Sequence, residues 1–162
     1  MQRSLFKQEY NYCLDASVLI RLSDDYPPDV FAPLWRKLES LVGNGYAHAP
    51  REVLKELQIV DDDVSKWAKQ NRHIFRSVSH QQIEELKKVL KTFPNFCDFR
   101  KEVADADPFL VAHALCEGCV IVTDEKPSDP AAKIIKIPNV CQFYNIKCIS
   151  LIELFREQKW KL

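Results

Sequence analysis

The chain has 162 residues, 46% hydrophobic and 28% charged, which predicts one globular unit spanning residues 1–162 and excludes a disordered chain. Lys+Arg and Asp+Glu both number 23, so the formal charge is zero, and any polyanionic partner must be held by a local patch rather than by bulk basicity. With only three glycines (Gly43, Gly45 and Gly118) there is no Gly-rich phosphate cradle, which excludes GxGxxG and Walker-type sites for a nucleotide cofactor.

In chain order, residues 11–15 read as a short strand ending at Asp15. Val18, Leu19 and Ile20 continue an apolar stretch, and Asp24-Asp25-Tyr26-Pro27-Pro28 breaks it into a loop. Phe31, Leu34, Trp35, Leu38, Leu41 and Val42 recur at helical spacing, with Gly43 as the expected stop. Tyr46-Ala47-His48-Ala49 reads as a second strand, and Pro50 suits the first position of a helix carrying Val53, Leu54 and Leu57. Val64, Trp67 and Ala68 suggest a short helix. Ser79-His-Gln-Gln82 has the form of a capping box opening a longer helix over Ile83, Leu86, Leu90 and Phe93. Asp107-Pro108 starts the next helix, which stops at Gly118. Cys119-Val-Ile-Val-Thr123 is the best strand, a continuous apolar run suited to a parallel strand covered on both faces. Ile134-Ile135 and Lys147-Cys-Ile149 are candidate further strands. Ser150-Leu-Ile-Glu153 is a second capping box, opening a final helix.

Alternating strands and helices predict a three-layer α/β/α fold with a central, mainly parallel sheet of four to five strands. No apolar run approaches the ~20 residues that span a bilayer, and the first ten residues, MQRSLFKQEY, lack a signal-peptide core, so a cytoplasmic protein is expected. Six cysteines are then expected as reduced thiols. Cys116 and Cys119 have CxxC spacing, but no second pair follows at zinc-site spacing, and the thiols read as buried or surface groups.

Sites on open α/β sheets lie at the carboxyl ends of strands. Four separate segments deliver acid to that edge: Asp15 after the first strand, Glu52 and Glu56 on the helix after the second, Asp105 and Asp107 at a helix start, and Asp124 and Glu125 after the strongest strand. No cysteine nucleophile accompanies them, and His113, six residues into its helix, reads as structural. Clustered carboxylates resist ionisation unless a cation is present. An oxygen-only donor set selects Mg²⁺ or Mn²⁺, and the implied chemistry is phosphodiester hydrolysis by activated water.

Tyr12-Cys-Leu-Asp15-Ala-Ser17, Pro50-Arg-Glu-Val53-Leu-Lys-Glu56-Leu57, Asp107-Pro-Phe-Leu-Val-Ala112-His-Ala114 and Val120-Ile-Val-Thr123-Asp-Glu125 appear in an order and spacing that resemble the PIN-domain family of metal-dependent nucleases, the fold of the VapC-type toxins. Ala106 to Leu110 and Lys136 to Cys141 are similar to two blocks of a small PIN subfamily, Ala-Asp-Pro-Phe-Leu and Lys-Ile-Pro-Asn-Val-Cys. The resemblance implies Asp15, Glu56, Asp107 and Glu125 as catalytic acids. It implies Asp15, Asp107 and either Glu125 or Asp124 as metal ligands. Ser17, Thr123, Asp105 and Glu52 would orient them. It implies an endoribonuclease acting on single-stranded or looped RNA, a separate antitoxin chain and a homodimer. Arg21, Lys126 and Lys133 are candidate phosphate guides in segments read as flexible. The runner-up reading is a catalytically silent PIN-like scaffold or RNA- or protein-binding module. A haloacid dehalogenase type would want Asp-x-Asp at the first strand, where this chain has Asp15-Ala16-Ser17. A receiver domain would want adjacent acids there.

Overall fold

The structure is a computed structural model and describes residues 11–98, 100 and 105–162. The MQRSLFKQEY stretch considered above for an export signal lies outside the described residues. Five strands form one parallel sheet: β1 (Tyr12–Leu14), β2 (Ala47–Pro50), β3 (Phe75–Arg76), β4 (Val120–Val122) and β5 (Cys148–Ile149). Their order is β3-β2-β1-β4-β5. The helices are α1 (Ala16–Asp25), α2 (Ala32–Gly43), α3 (Arg51–Leu57), α4 (Asp63–Gln70), α5 (His80–Thr92), α6 (Asp107–Glu117), α7 (Ile137–Tyr144) and α8 (Leu151–Glu157). The expected α/β class with a parallel sheet flanked by helices is therefore the one observed. Among the described residues no helix is long and apolar enough to cross a membrane.

Alternation along the strands assigns the two faces of the sheet. Cys13 of β1 is paired in register with His48 of β2, and His113 of α6 hydrogen-bonds to His48, so α6 covers that face. Tyr12, one residue earlier, points the other way, and its hydroxyl donates to Glu157 of α8 at 2.8 Å. Cys13, Leu14, Ile121 and Val122 are at most 1% exposed, as central strands covered on both sides should be. Trp35 and Trp67 are buried and meet edge to face at 5.8 Å, so they are core residues, as their helical spacing implied.

Both capping boxes form: Ser79 accepts from Gln82 N and Ser150 from Glu153 N, each reciprocated by the side chain at the third position. Several local expectations are corrected. The Val18-Leu19-Ile20 stretch is helical, with Val18, Leu19 and Leu22 turned into the core and Ile20 outward. By contrast α2 ends at Gly43 as expected, with the left-handed turn two residues later, at Gly45 with φ 77°. Ile134-Ile135 is not a strand. Ile135 N–H donates to the Asn95 carbonyl rather than to a ladder, and the chain then enters α7 with Pro138 in its first turn. Neither α7 nor the two-residue β3 follows from the sequence periodicity.

Candidate active site

The strand order reverses direction between β1 and β4, so the crevice beyond their carboxyl ends is the topological switch point, where open α/β sheets bind ligands. A cavity of about 660 Å³ lies there, lined by Asp15, Glu56, Asp98, Asp105, Asp107 and Glu125 together with Ser17, Ile20, Ile59, Ile134, Ile135 and Lys136. Acids distant in sequence thus share one pocket because the parallel register aligns the ends of their strands.

Asp15 is 3% exposed and stands at the N-cap position of α1, but its carboxylate makes no side-chain cap bond. Instead Oδ2 accepts from Ser17 Oγ at 2.6 Å and from Thr123 Oγ1 at 2.8 Å. The two hydroxyls are themselves held from behind. Ser17 Oγ accepts from Asp124 N–H at 3.2 Å, and Thr123 Oγ1 from Glu125 N–H at 3.1 Å. Backbone N–H groups orient hydroxyls, and hydroxyls orient one carboxylate oxygen. Both hydroxyls converge on Asp15 Oδ2.

Glu56 Oε1 accepts the Ala106 N–H at 2.9 Å, which satisfies one of the orphan donors at the start of α6. Asp105, 5% exposed, accepts from Asp107 N–H at 3.3 Å and from Asp98 N–H at 3.4 Å. Glu125 spans to α7: Oε2 accepts from Ile137 N–H at 3.1 Å, while Lys136 Nζ lies 3.8 Å from Oε1.

Electrostatics records the crowding. Burial, then Glu125, Asp15, Asp105 and Glu56, push the Asp107 carboxyl up to about 9. Asp15 is raised, chiefly by burial and against its hydroxyl bonds. Glu125 is raised, again chiefly by burial, with Asp15 and Asp105 adding to it and the Ile137 N–H opposing it. Such a pocket favours protons or a cation; six ionised carboxylates without either are disfavoured.

Other candidates from the sequence fall elsewhere. Asp124 does not line the cavity and faces Arg21 Nη1 at 3.3 Å. Glu52 is buried but is not a lining residue; its Oε1 lies 3.9 Å from Lys55 Nζ on its own helix. Arg21 sits on α1 rather than in a flexible segment and also pairs with Asp25 at 3.1 Å. Lys126 lines a smaller neighbouring cavity of about 340 Å³, while Lys133 lines neither. Sequence reasoning missed Asp98 and Lys136 as lining groups. Lys136 begins the Lys-Ile-Pro-Asn-Val-Cys block, read only as a family marker. Asp98 carries no local signal.

The family described as Domain of unknown function (DUF4411) matches residues 12–162. No curated protein matches the chain. Among solved structures, the chain is similar to the crystal structure of VapBC2 from Rickettsia felis bound to a DNA fragment from their promoter. Identity is 14%, the TM-score is 0.47, and 86% of this chain and 97% of that chain are covered. It is also similar to the crystal structure of PAE2754 from Pyrobaculum aerophilum, at 15% identity and a TM-score of 0.48 over 93% of this chain and 98% of that chain.

Proposed function

This chain belongs to the DUF4411 family, and we propose that it is a Mg²⁺- or Mn²⁺-dependent endoribonuclease with a PIN-like site. The observation that carries this reading is the convergence of Asp15, Glu56, Asp105, Asp107 and Glu125 on one cavity at the switch point of the sheet. The PIN-like order of the four sequence blocks supports it independently of the geometry.

The donor set fits a hard dication. It is all oxygen, it is buried and crowded enough to raise Asp107 to about 9, and it carries no thiol or imidazole. Asp15, Asp107 and Glu125 would hold the cation. When bound, it neutralises these carboxylates and acidifies water for attack on a phosphodiester. The chain's own groups do the remainder. Ser17 and Thr123 hold Asp15 in one orientation. Glu56 secures the start of α6 and with it Asp107. Lys136 at the cavity wall offers the positive charge for a substrate phosphate. The apolar side chains of Ile20, Ile59 and Ile134 flank the acids and suit an unpaired strand that bends inward. The resemblance brings with it an antitoxin chain and a homodimer as expected partners.

The test is cleavage of mixed RNAs with Mn²⁺ present or chelated, using Asp15→Asn and Asp107→Asn as controls. Cleavage that requires the metal and falls at least ~100-fold in both variants supports the proposal. Undiminished cleavage in both variants refutes the site. A folded parent that binds RNA without cutting it supports the scaffold or binding-module reading instead.

A further inference from the structure

Between β4 and α7 the chain forms neither helix nor strand over residues 123–136. Both ends of this segment carry groups of the acidic cavity. Glu125 stands near its start, and Ile134, Ile135 and Lys136 at its end. An irregular segment has no ladder of its own, so its backbone groups must be held in other ways. At the tip Asp129 holds them locally: its carbonyl accepts from Ala132 N–H and its Oδ1 from Ala131 N–H, each at 2.8 Å. On the return, Ile135 N–H donates to the Asn95 carbonyl at 3.2 Å, and the Ile135 side chain is buried.

The neck of the loop is fastened by Asn139 of α7, a residue of the Lys-Ile-Pro-Asn-Val-Cys block. Its Oδ1 accepts from Ser128 N–H at 2.9 Å and from Ser128 Oγ at 3.2 Å, and its Nδ2 donates to the Ser128 carbonyl at 2.8 Å. One carboxamide thus pairs with the N–H and the C=O of a single residue, as a neighbouring strand would. Only the carboxamides of Asn and Gln offer an N–H donor and a carbonyl acceptor side by side. Asn139 is the third residue of α7, where a Glu or Gln usually reaches back to the cap N–H. It does meet Lys136 N–H, but at 3.4 Å, so its shorter bonds go to the loop. The same turn of α7 holds the Glu125 carboxylate, whose Oε2 accepts from Ile137 N–H at 3.1 Å, and the Ile137 side chain is fully buried. The neck therefore has two rungs, Glu125 to Ile137 and Ser128 to Asn139. Releasing the second leaves Glu125 attached to a loop that is free to pull on the first.

We infer that Asn139 is a positioning residue: by fastening Ser128 to α7 it holds Glu125 where the acidic pocket needs it. This role rests on the metal site proposed above and extends it to a residue that does not line the cavity.

The test is Mn²⁺ uptake by the full chain, read as the rise in Tm on titration with Mn²⁺ and needing no activity. Asn139→Ala should raise the Mn²⁺ concentration for half the effect by ~10–100-fold, the range for losing a group that orients a metal ligand. Ser128→Ala keeps both backbone partners of Asn139 and should shift it by less than ~3-fold. Asn139→Asp, which keeps the acceptor and loses the donor, should lie between the two. In a Glu125→Gln background Asn139→Ala should add less than ~3-fold, because its effect passes through Glu125. Native-state trypsin should cut after Lys133 at least ~5-fold faster in Asn139→Ala than in the parent, because the neck is open. A folded Asn139→Ala with parental Mn²⁺ uptake overturns the inference, as does an undiminished loss in the Glu125→Gln background or an unchanged cut at Lys133. Should Asn139→Ala not fold, Asn139→Leu keeps the bulk and removes the pairing, and parental uptake in it overturns the inference equally. A parent that takes up no Mn²⁺ overturns the metal site itself, and this role with it.

Discussion

Glu56 Oε1 accepts the Ala106 backbone N–H at 2.9 Å across 50 residues of sequence. This bond joins the helix after β2 to the start of α6 and so brings two of the candidate acids to one wall. It gives Glu56 a structural task separable from any chemical one. Glu56→Gln keeps an acceptor oxygen, whereas Glu56→Ala removes it. The alanine variant should therefore lose about 1 kcal/mol of stability, typical of a lost helix-cap acceptor. The glutamine variant should stay within about 0.5 kcal/mol of the parent in urea unfolding, while its metal-dependent cleavage falls.

Asp107 carries a pH dependence with a definite sign. Its carboxyl is raised in the folded chain from an ordinary 3.8 to about 9, so the folded state binds the proton more tightly than the unfolded state does. Its contribution is fully present below about 3.8 and is lost as pH rises through about 9. His48 works oppositely. Burial, then His113 and Arg76, lower it from 6.5 to about 3, so its contribution rises with pH and is complete above about 6.5. Above about pH 6.5 the His48 contribution is complete, so a fall there reports the raised carboxyls of the pocket, which the Asp107→Asn variant resolves. In chelator, stability there should fall with pH, by at most about 1.4 kcal/mol per pH unit for one proton. Thermal melts at several pH values measure this. Saturating Mn²⁺ should abolish the fall, and Asp107→Asn should flatten it.

Asp124 and Glu125 are adjacent in sequence but face different surroundings. Glu125 lines the acidic cavity, while Asp124 faces Arg21. Glu125→Gln should lower metal-dependent RNA cleavage by at least ~10-fold, and Asp124→Asn should change it by less than ~3-fold. A larger loss for Asp124→Asn would move the fourth acid to that position.

Thr123 touches Asp15 through one hydroxyl hydrogen bond of 2.8 Å. Thr123→Val keeps the shape and removes the donor. The expected effect is a ~10–100-fold rise in the Mn²⁺ concentration needed for half-maximal cleavage, the range for losing a group that orients a metal ligand. Titration of Mn²⁺ against rate measures it. Thr123→Ser, which retains the hydroxyl, should restore most of the affinity.

Lys136 is a cation on the cavity wall, 3.8 Å from Glu125 Oε1. Lys136→Met should raise KM for RNA several-fold more than it lowers kcat. It should also reduce the slope of log binding against log salt by about 1, as loss of one phosphate contact predicts. An unchanged salt slope would remove Lys136 from the substrate path.

Local chemistry announces itself in sequence, and long-range placement does not. The Ser79 and Ser150 capping boxes, the Gly118 stop and the Val120–Val122 strand were legible because each depends on neighbours within a few residues. The acid-bearing segments were legible for the same reason, since each sits where a strand ends or a helix begins. Ile134-Ile135 misled because a short apolar pair has no period of its own, and packing decides its state. The resemblance favoured Glu125 and kept Asp124 as the alternative metal ligand, and only the turn after β4 sends one to the cavity and the other to Arg21. The sequence by itself determined the parallel α/β class and which segments carry carboxylates. Tertiary structure alone decided that Asp15, Glu56, Asp107 and Glu125 share a pocket. Strand order and register set those distances, and no local interaction encodes either.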